Sequence, residues 1–479
     1  MLFPTVDFAI FFVVVFAFGW LLRPYATPWR LFMLAASLFF YGYWDARFVG
    51  LLGGSIVANH LFGRAVRAAG VSGRTILARG AVSLAVLTNL GVLGWFKYYD
   101  FFATSVIDAG HRAGVDLNIP ILTVLLPVGI SFFTFQALSY VIDVHRGKIE
   151  PLRFLDFAVY LAFFPQLVAG PIVRATEFAP QLIDGDAHPR QKLESGLAFR
   201  LIFAGLFKKV VVSSYLATEL VDPVFAVPGQ HTAPEILFAT YAYAIQIYAD
   251  FSGYTDIAIG TALLLGFRFP KNFDAPYTAL SIQEFWRRWH MTLSRWLKDY
   301  LYIPLGGNRK SRIFTYRNLA LTMVLGGLWH GAATTFVIWG AIHGGLLALE
   351  RLAGGWWQHI GSPTLLPLAV TRPLRWIYTF HAVCLAWIFF RADSLEIALQ
   401  LLGGLTGSWA TAPLVTSLAV AVIAVSLISQ FFDEEKLGHL QDELTRLHPI
   451  LQGAALGAGL LLVDVLAPEG VAPFIYFQF

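Results

Sequence analysis

Residues 317–350 have the sequence RNLALTMVLGGLWHGAATTFVIWGAIHGGLLALE, a long apolar stretch bounded by Arg317 and Arg351. As one continuous helix it would be about 51 Å long, whereas the hydrocarbon core of a bilayer is roughly 30 Å thick. Three glycines offer a break: Gly326, Gly327 and Gly331. Because broken helices at membrane depth occur where they line a cavity or are buried in protein, the stretch predicts one broken membrane element, or two, beside a polar space.

The composition of the chain also indicates that lipid surrounds the protein. Of its 479 residues, 57% are hydrophobic and 13% are charged, whereas a soluble domain carries about 25% charged residues. Lipid must therefore cover most of the surface. The net charge of +4 does not indicate a nucleic-acid partner. The single cysteine, Cys384, excludes an internal disulfide and a thiolate metal cluster, and no metal site is expected.

Apolar stretches of the length that crosses a bilayer recur along the chain. With residues 317–350 they predict an all-α polytopic membrane protein of about eleven or twelve membrane elements. The other predicted spans are 4–22, 29–44, 48–63, 76–97, 120–142, 155–171, 196–218, 234–250, 374–391, 413–431 and 449–466.

The basic residues predict which loops face the cytoplasm. They lie in alternate loops and include Arg64, Arg67, Arg74, Arg79, Arg146, Lys148 and Arg153. The loops between, 44–47 and 98–118, are neutral or acidic, which places the N-terminus outside. The segment from Arg268 to Arg317 contains ten Lys or Arg residues against three acidic ones, so it is predicted to be cytoplasmic.

Within that segment, residues 282–300 are predicted to form one amphipathic helix at the cytoplasmic interface. Ser281 and Glu284 have the spacing of a capping box at its start. His290 then shares the apolar face of the helix with Trp286 and points into the protein. It could orient a substrate or assist proton transfer; the alternative is a core histidine whose hydrogen bonds are satisfied.

His330 is the strongest candidate for chemistry. It lies in Gly-Gly-Leu-Trp-His-Gly-Ala, residues 326–332, and an ionisable residue inside a membrane span is a functional candidate because its burial is costly. Burial disfavours the charged imidazolium, and a neutral imidazole can act as a general base. The neighbouring glycines would let a substrate approach the backbone. The alternative is a histidine that hydrogen-bonds to a neighbouring helix.

Other polar groups at membrane depth are more readily explained by structure. Asp250 and Asp256, in Asp-Phe-Ser-Gly-Tyr-Thr-Asp, need partners or else line a hydrophilic funnel. Three arginines are the predicted partners: Arg268, Arg287 and Arg288. His343 and His381 are predicted to be helix-packing groups.

Two proline-containing segments predict breaks or turns. Pro165 and Pro171 should bend the helix near residue 165 and again near 170, either as a kink or as the re-entrant wall of a cavity. Residues 303–308, Ile-Pro-Leu-Gly-Gly-Asn, predict a turn whose amides could hold an anion, although most such turns are only turns. The sequence lacks the P-loop, serine-hydrolase, zinc-protease and Rossmann fingerprints.

Several of these segments together resemble the hallmarks of bacterial membrane-bound O-acyltransferases, in the family's order. They are FFPQLVAGPI (163–172), DFSGYTD (250–256), FPKNF (269–273), FWRRWH (285–290), YIPLGGN (302–308), LWHGA (328–332) and FIYFQF (474–479). The resemblance covers residues 160–479 and is greatest to the alginate O-acetylase branch. The branch that helps transfer D-alanine to teichoic acids is a near relative.

The resemblance implies a fold and a site. The fold is a ring of tilted helices around a thin centre, with N-terminal transmembrane helices in residues 1–150 and a catalytic core in 151–479. A cytoplasmic funnel leads to His330, which matches the family's catalytic histidine. His290 matches a second, supporting histidine of the bacterial branch.

The resemblance also implies a reaction. A cytoplasmic acetyl thioester, acetyl-CoA, would donate the acetyl group, with basic residues in 268–310 holding its phosphates, and no cofactor would be bound permanently. The acceptor would be an exported, alginate-like polysaccharide, reached across the bacterial inner membrane with a periplasmic partner that carries a catalytic serine. The alternatives are a lipid acyltransferase, a D-alanyl transferase supplied by an acyl-carrier protein, and a non-enzymatic polysaccharide transporter or channel.

Overall fold

A computed structural model describes the chain except residues 2, 123, 184–192, 360–366, 433–442, 444–445, 467–474 and 476–479. All regular elements of the described residues are helices. These residues form two compact units: Met1–Ala198 with Ile257–Pro270, and Phe199–Asp256 with Lys271–Phe479. The predicted all-α class is confirmed.

The helices have the length and surface of membrane elements. Three are long and apolar enough to cross a bilayer: Thr75–Arg112, Thr334–Trp356 and Leu368–Arg391. Four shorter apolar helices accompany them: Val6–Leu22, Leu395–Gly404, Ser417–Ser429 and Ile450–Val463. Large apolar side chains are exposed along the first of these, where Val6, Ile10 and Val13 are 62–75% exposed. Lipid is the solvent that tolerates such a surface, and the chain is a polytopic membrane protein.

The first unit contains eight helices in the described residues up to Ile183. They are α1 (Val6–Leu22), α2 (Ala26–Gly42), α3 (Arg47–Val71), α4 (Thr75–Arg112), α5 (Ile130–His145), α6 (Phe154–Ala162), α7 (Phe164–Leu167) and α8 (Ala175–Ile183). The first begins at an N-cap, where the Thr5 hydroxyl accepts a hydrogen bond from the Phe8 N–H (3.3 Å). A buried ion pair between Arg30 and Asp156 (2.6 Å) joins α2 to α6.

Three predicted boundaries in this unit were wrong. The predicted span 48–63 continues as α3 to Val71. The predicted span 76–97 continues as α4 to Arg112, and the Asp100 carboxylate on it accepts hydrogen bonds from the backbone N–H groups of Leu122 (3.0 Å) and Val124 (3.1 Å). The predicted span 120–142 begins only at Ile130. Residue Gly129 precedes it with φ +78°, and a Cβ there would lie 2.4 Å from the Leu167 carbonyl oxygen, so only glycine fits.

The predicted bend near residue 165 is present. Helix α6 ends at Ala162, Phe163 has ψ 110°, and Pro165 lies in the first turn of α7, where its missing N–H costs nothing. The Phe163 ring packs against those of Phe178 (5.2 Å) and Phe267 (5.0 Å). The Gln166 side chain donates to the Tyr160 carbonyl (2.6 Å). This FFPQL segment is therefore part of the aromatic core of the first unit.

The remaining helices follow in chain order. They are α9 (Ser195–Leu206), α10 (Ser214–Leu216), α11 (Asp222–Ala226), α12 (Ala233–Leu264), α13 (Ile282–Arg288), α14 (Met291–Leu297), α15 (Arg312–His330), α16 (Thr334–His359), α17 (Leu368–Arg391), α18 (Leu395–Gly404), α19 (Ser417–Ser429) and α20 (Pro449–Leu466). Three π-helical stretches interrupt them: Phe207–Ser213, Ala217–Val221 and Lys298–Tyr302. The predicted span 234–250 extends through the whole of α12, and α8 and α18 were not predicted.

Candidate active site

The broken membrane element predicted from residues 317–350 is two helices. Helix α15 ends at His330, Gly331 is extended, and α16 begins at Thr334. A Cβ on Gly331 would lie 2.0 Å from the Phe336 ring, and one on Gly327 would lie 2.2 Å from the Phe336 carbonyl oxygen. These glycines therefore let α16 fold back closely on α15. The expectation that they leave room for a substrate beside the backbone was wrong at both positions, because Phe336 occupies that space.

His330 lies at the end of α15 inside an aromatic enclosure. The residue is only 3% exposed. The rings of Trp329, Trp339 and Phe390 surround it in edge-to-face geometry, with centroids 5.0–5.2 Å away. The last turn of the helix and the extended Gly331 thus place the imidazole in a buried, aromatic site.

His290 is buried, but not for the predicted reason. The single amphipathic helix over residues 282–300 was wrong: α13 ends at Arg288 and α14 begins at Met291. His290 lies in the break with φ +41°, the left-handed conformation, and is fully buried. The predicted cap at the start is confirmed, since the Glu284 N–H donates to the Ser281 hydroxyl (3.0 Å). Helical periodicity detected the two short helices and missed the break between them.

Asn272 determines which nitrogen of His290 carries the proton. Its side-chain Oδ1 accepts hydrogen bonds from the backbone N–H of Thr292 (3.1 Å) and from the Thr292 hydroxyl (2.8 Å), which identifies it as the oxygen. The Nδ1 of His290 lies 3.2 Å from the same oxygen and must therefore donate to it. The lone pair is then on Nε2, which is buried and has no hydrogen-bond partner among the described residues. An imidazole in this state can accept a proton.

Both histidines pack against one tryptophan. The Trp329 ring centroid lies 5.0 Å from that of His330 and 6.1 Å from that of His290. On its other side His290 meets the Phe251 ring edge-to-face at 4.6 Å. The second unit therefore brings the two sequence-predicted site residues into one aromatic cluster.

The two carboxylates of the DFSGYTD segment bind lysines, and the predicted arginine partners were wrong. Asp250 pairs with Lys209, both with side chains 2% exposed, and Asp256 pairs with Lys208. The Ile475 N–H also donates to Asp250 (2.7 Å). Apart from Ile475, the terminal FIYFQF segment lies outside the described residues. The lysines come from the π-helical stretch before α12, and a Cβ on Gly253 would lie 2.7 Å from the Gly205 carbonyl oxygen, so the backbones approach closely.

The two histidines predicted to be helix-packing groups, His343 and His381, differ in whether both ring nitrogens have hydrogen-bond partners. Both ring nitrogens of His381 have partners, the Tyr241 hydroxyl (2.8 Å) and the Ile377 carbonyl (2.8 Å), which confirms the predicted packing role. The Nδ1 of His343 accepts from the Trp286 indole N–H (3.3 Å). Its Nε2 then carries a proton that has no partner among the described residues. His343 packs against Trp339 at 4.8 Å, so it borders the enclosure of His330.

Part of the basic segment, including its turn, is occupied by internal contacts. The Asn318 side chain donates to the carbonyls of Leu305 (3.2 Å) and Gly307 (3.0 Å), which explains the turn at residues 303–308 structurally. Lys271 pairs with Asp274 (2.7 Å), and Arg288 pairs with Glu284 (2.9 Å). A phosphate held here would have to compete with these carboxylates. Across the described residues no group of His, Cys, Asp and Glu side chains could hold a metal ion.

Comparison with known proteins identifies the family. The sequence model of the membrane-bound O-acyltransferase family matches residues 93–391. The chain belongs to the membrane-bound O-acyltransferase family. It is therefore a membrane O-acyltransferase, and the interpretation as a non-enzymatic transporter or channel is set aside.

The names of similar proteins refer to three different polymers. The protein named "Probable alginate O-acetylase" of Azotobacter vinelandii is 39% identical over 100% of both chains. A peptidoglycan O-acetyltransferase of Helicobacter pylori is 38% identical over 85% of this chain and 80% of its own length. A teichoic acid D-alanyltransferase of Bacillus subtilis is 27% identical over 55% of this chain and 68% of its own.

Sequence reasoning missed several residues of the site. Asn272 lies in FPKNF, but nothing in the sequence connects it to His290, eighteen positions away. The sequence marks Trp329 only as a neighbour of His330. Lys208 and Lys209 lie in a predicted span, where two adjacent lysines were a signal that buried carboxylates are near.

Proposed function

We propose that this O-acyltransferase passes acetyl groups from acetyl-CoA, a cytoplasmic thioester, across the bacterial inner membrane for O-acetylation of an exported, alginate-like polysaccharide. The identity of 39% over the full length of a protein named as an alginate O-acetylase supports the acetyl group and the polysaccharide. The peptidoglycan O-acetyltransferase relative supports the same reaction on another polysaccharide. Residues 151–479 would form the catalytic core, behind N-terminal transmembrane helices in residues 1–150.

The observation that supports this proposal is that the buried imidazoles of His330 and His290 both pack against Trp329. His330 is proposed as the catalytic base or the transient acyl acceptor, and His290 as its support. As a base, His330 would remove the proton of an acceptor hydroxyl, whose oxygen attacks the thioester carbonyl. The C–S bond then breaks, the thiolate takes up a proton, and an ester and a free thiol result. No ATP is needed because the thioester is already activated.

The acceptor of this first step is proposed to lie on a periplasmic partner with a catalytic serine, which then acetylates the sugar hydroxyls. Two possible acyl donors differ in the molecule that carries the acyl group. An acetyl-CoA route needs only the soluble thioester, whereas the D-alanyl route, favoured by the relative at 27% identity, needs an acyl-carrier protein. Purified protein tested with acetyl-CoA, long-chain acyl-CoA and acyl-carrier protein separates these, and the neighbouring genes would identify the polysaccharide.

The central experiment replaces His330 by alanine. Polysaccharide acetylation in cells should fall to background, while the amount of protein in the membrane fraction stays at the wild-type level. His381→Ala is the matched control, because that histidine is held by Tyr241 and Ile377 and should leave acetylation within about twofold after correction for abundance. Wild-type acetylation by the His330 variant would reject its role.

A further inference from the structure

A cavity outside the candidate active site opens in the first unit, where the C-terminal ends of α3 and α5 meet the N-terminal end of α4. Its volume is about 270 Å³, and none of the residues of the candidate active site lines it. Val66 and Val144 form its apolar floor, and Arg67, Arg79 and His145 form its polar wall. Three helices that are separated in sequence thus place basic side chains around one opening.

The surroundings of the cavity carry positive charge that the protein neutralises only in part. Arg67 pairs with Glu150 (2.6 Å), an exposed contact that solvent weakens. Within the described residues, no carboxylate pairs with Arg64, Arg74 or Arg79. An anion that enters the cavity would therefore meet the guanidinium groups of Arg67 and Arg79, which line it.

The N-terminal end of α4 adds a second attraction for an anion. No side chain caps this helix of 38 residues. The Thr75 N–H donates to the Gly73 carbonyl (3.0 Å), so among the first-turn amides those of Ile76 and Leu77 keep hydrogen-bonding capacity. The helix dipole favours negative charge beside them. Thr75, the first residue of α4, lines the cavity together with Arg79 one turn later. The amides and the guanidinium groups thus lie at the same opening.

We propose that this cavity binds the phosphodiester headgroup of an anionic glycerophospholipid. Basic pockets between membrane helices have the chemistry for such headgroups. A lipid is favoured over a soluble phosphate because α4 is a candidate membrane span and because apolar side chains are exposed around the opening. Val71, Ile76 and Leu77 are 56–84% exposed there and can contact acyl chains.

Native mass spectrometry of the purified full chain tests the proposal, with phosphatidylglycerol as the anionic lipid and phosphatidylcholine as the zwitterionic one. The wild type should retain phosphatidylglycerol in preference. Arg79→Ala should weaken its binding about fivefold, and Arg67→Ala with Arg79→Ala should weaken it further. Arg79→Lys should keep most of it. The matched control is Arg112→Ala, which removes the same charge from the opposite end of α4 and should change nothing.

Three results would overturn the proposal. They are equal binding of the two lipids by the wild type, equal loss in the Arg112 control, and displacement of phosphatidylglycerol by millimolar inorganic phosphate, which would identify a general phosphate site. Thermal melting in detergent checks that each variant is folded. If Arg79→Ala does not fold, Arg79→Gln replaces it in the same comparison.

Discussion

Replacing Asn272 by alanine tests whether the tautomer of His290 matters to the reaction. The substitution removes the oxygen that accepts from His290 Nδ1 and from both donors of Thr292. Thr292 loses the oxygen that accepts from its N–H and its hydroxyl, which should lower the free energy of unfolding by about 2 kcal/mol. The imidazole loses the bond that holds its proton on Nδ1, worth about 1 kcal/mol. The proposed supporting role then predicts a fall in acetylation of about fivefold per folded molecule.

The assay separates the two effects. Acetylation is normalised to the amount of folded protein, and the ring ¹⁵N shifts of labelled histidine report which nitrogen is protonated. Asn89→Ala is the matched control, since Asn89 is also a buried amide and exchanges hydrogen bonds with Asn59 (2.7 and 3.1 Å). It should lose stability and keep its activity per folded molecule. Full activity in the Asn272 variant, or a wild-type His290 protonated on Nε2, would refute the reasoning.

Three further predictions concern the packing around the site. Lys209→Met leaves Asp250 buried without its cation and should destabilise the protein by about 3–5 kcal/mol. Combining it with Asp250→Asn should recover much of that stability in thermal melting. No recovery would contradict the pairing of Lys209 with Asp250. Gly340→Ala places a Cβ 2.4 Å from a backbone oxygen of the facing helix and should cost about 2 kcal/mol, whereas Gly345→Ala, with nothing within 4 Å, should be neutral in the same melt. His343→Phe should lower stability by about 1 kcal/mol while acetylation stays within about twofold; a tenfold loss would bring His343 into the mechanism.

The hydropathy of the chain and its helix caps could be predicted because they are local. A run of apolar residues favours lipid whatever else the chain does, and the Ser281 hydroxyl reaches the Glu284 N–H within one turn. The break in residues 317–350 followed from a length that no bilayer accommodates in a single upright helix. His330 could be selected as a site candidate on the same ground, since a histidine in such a stretch is costly.

Partners that are distant in sequence could not be predicted. Asp250 needed a cation, but the choice of Lys209 over an arginine depends on how closely Gly253 lets two backbones approach. Periodicity placed His290 on a continuous helix, whereas contacts with Asn272 hold it in a left-handed break. Solvent preference and helix ends are properties of neighbouring residues, so the chain reveals them directly. Ion-pair partners, a histidine tautomer and the enclosure of His330 depend on contacts between separate helices, which exist only after folding.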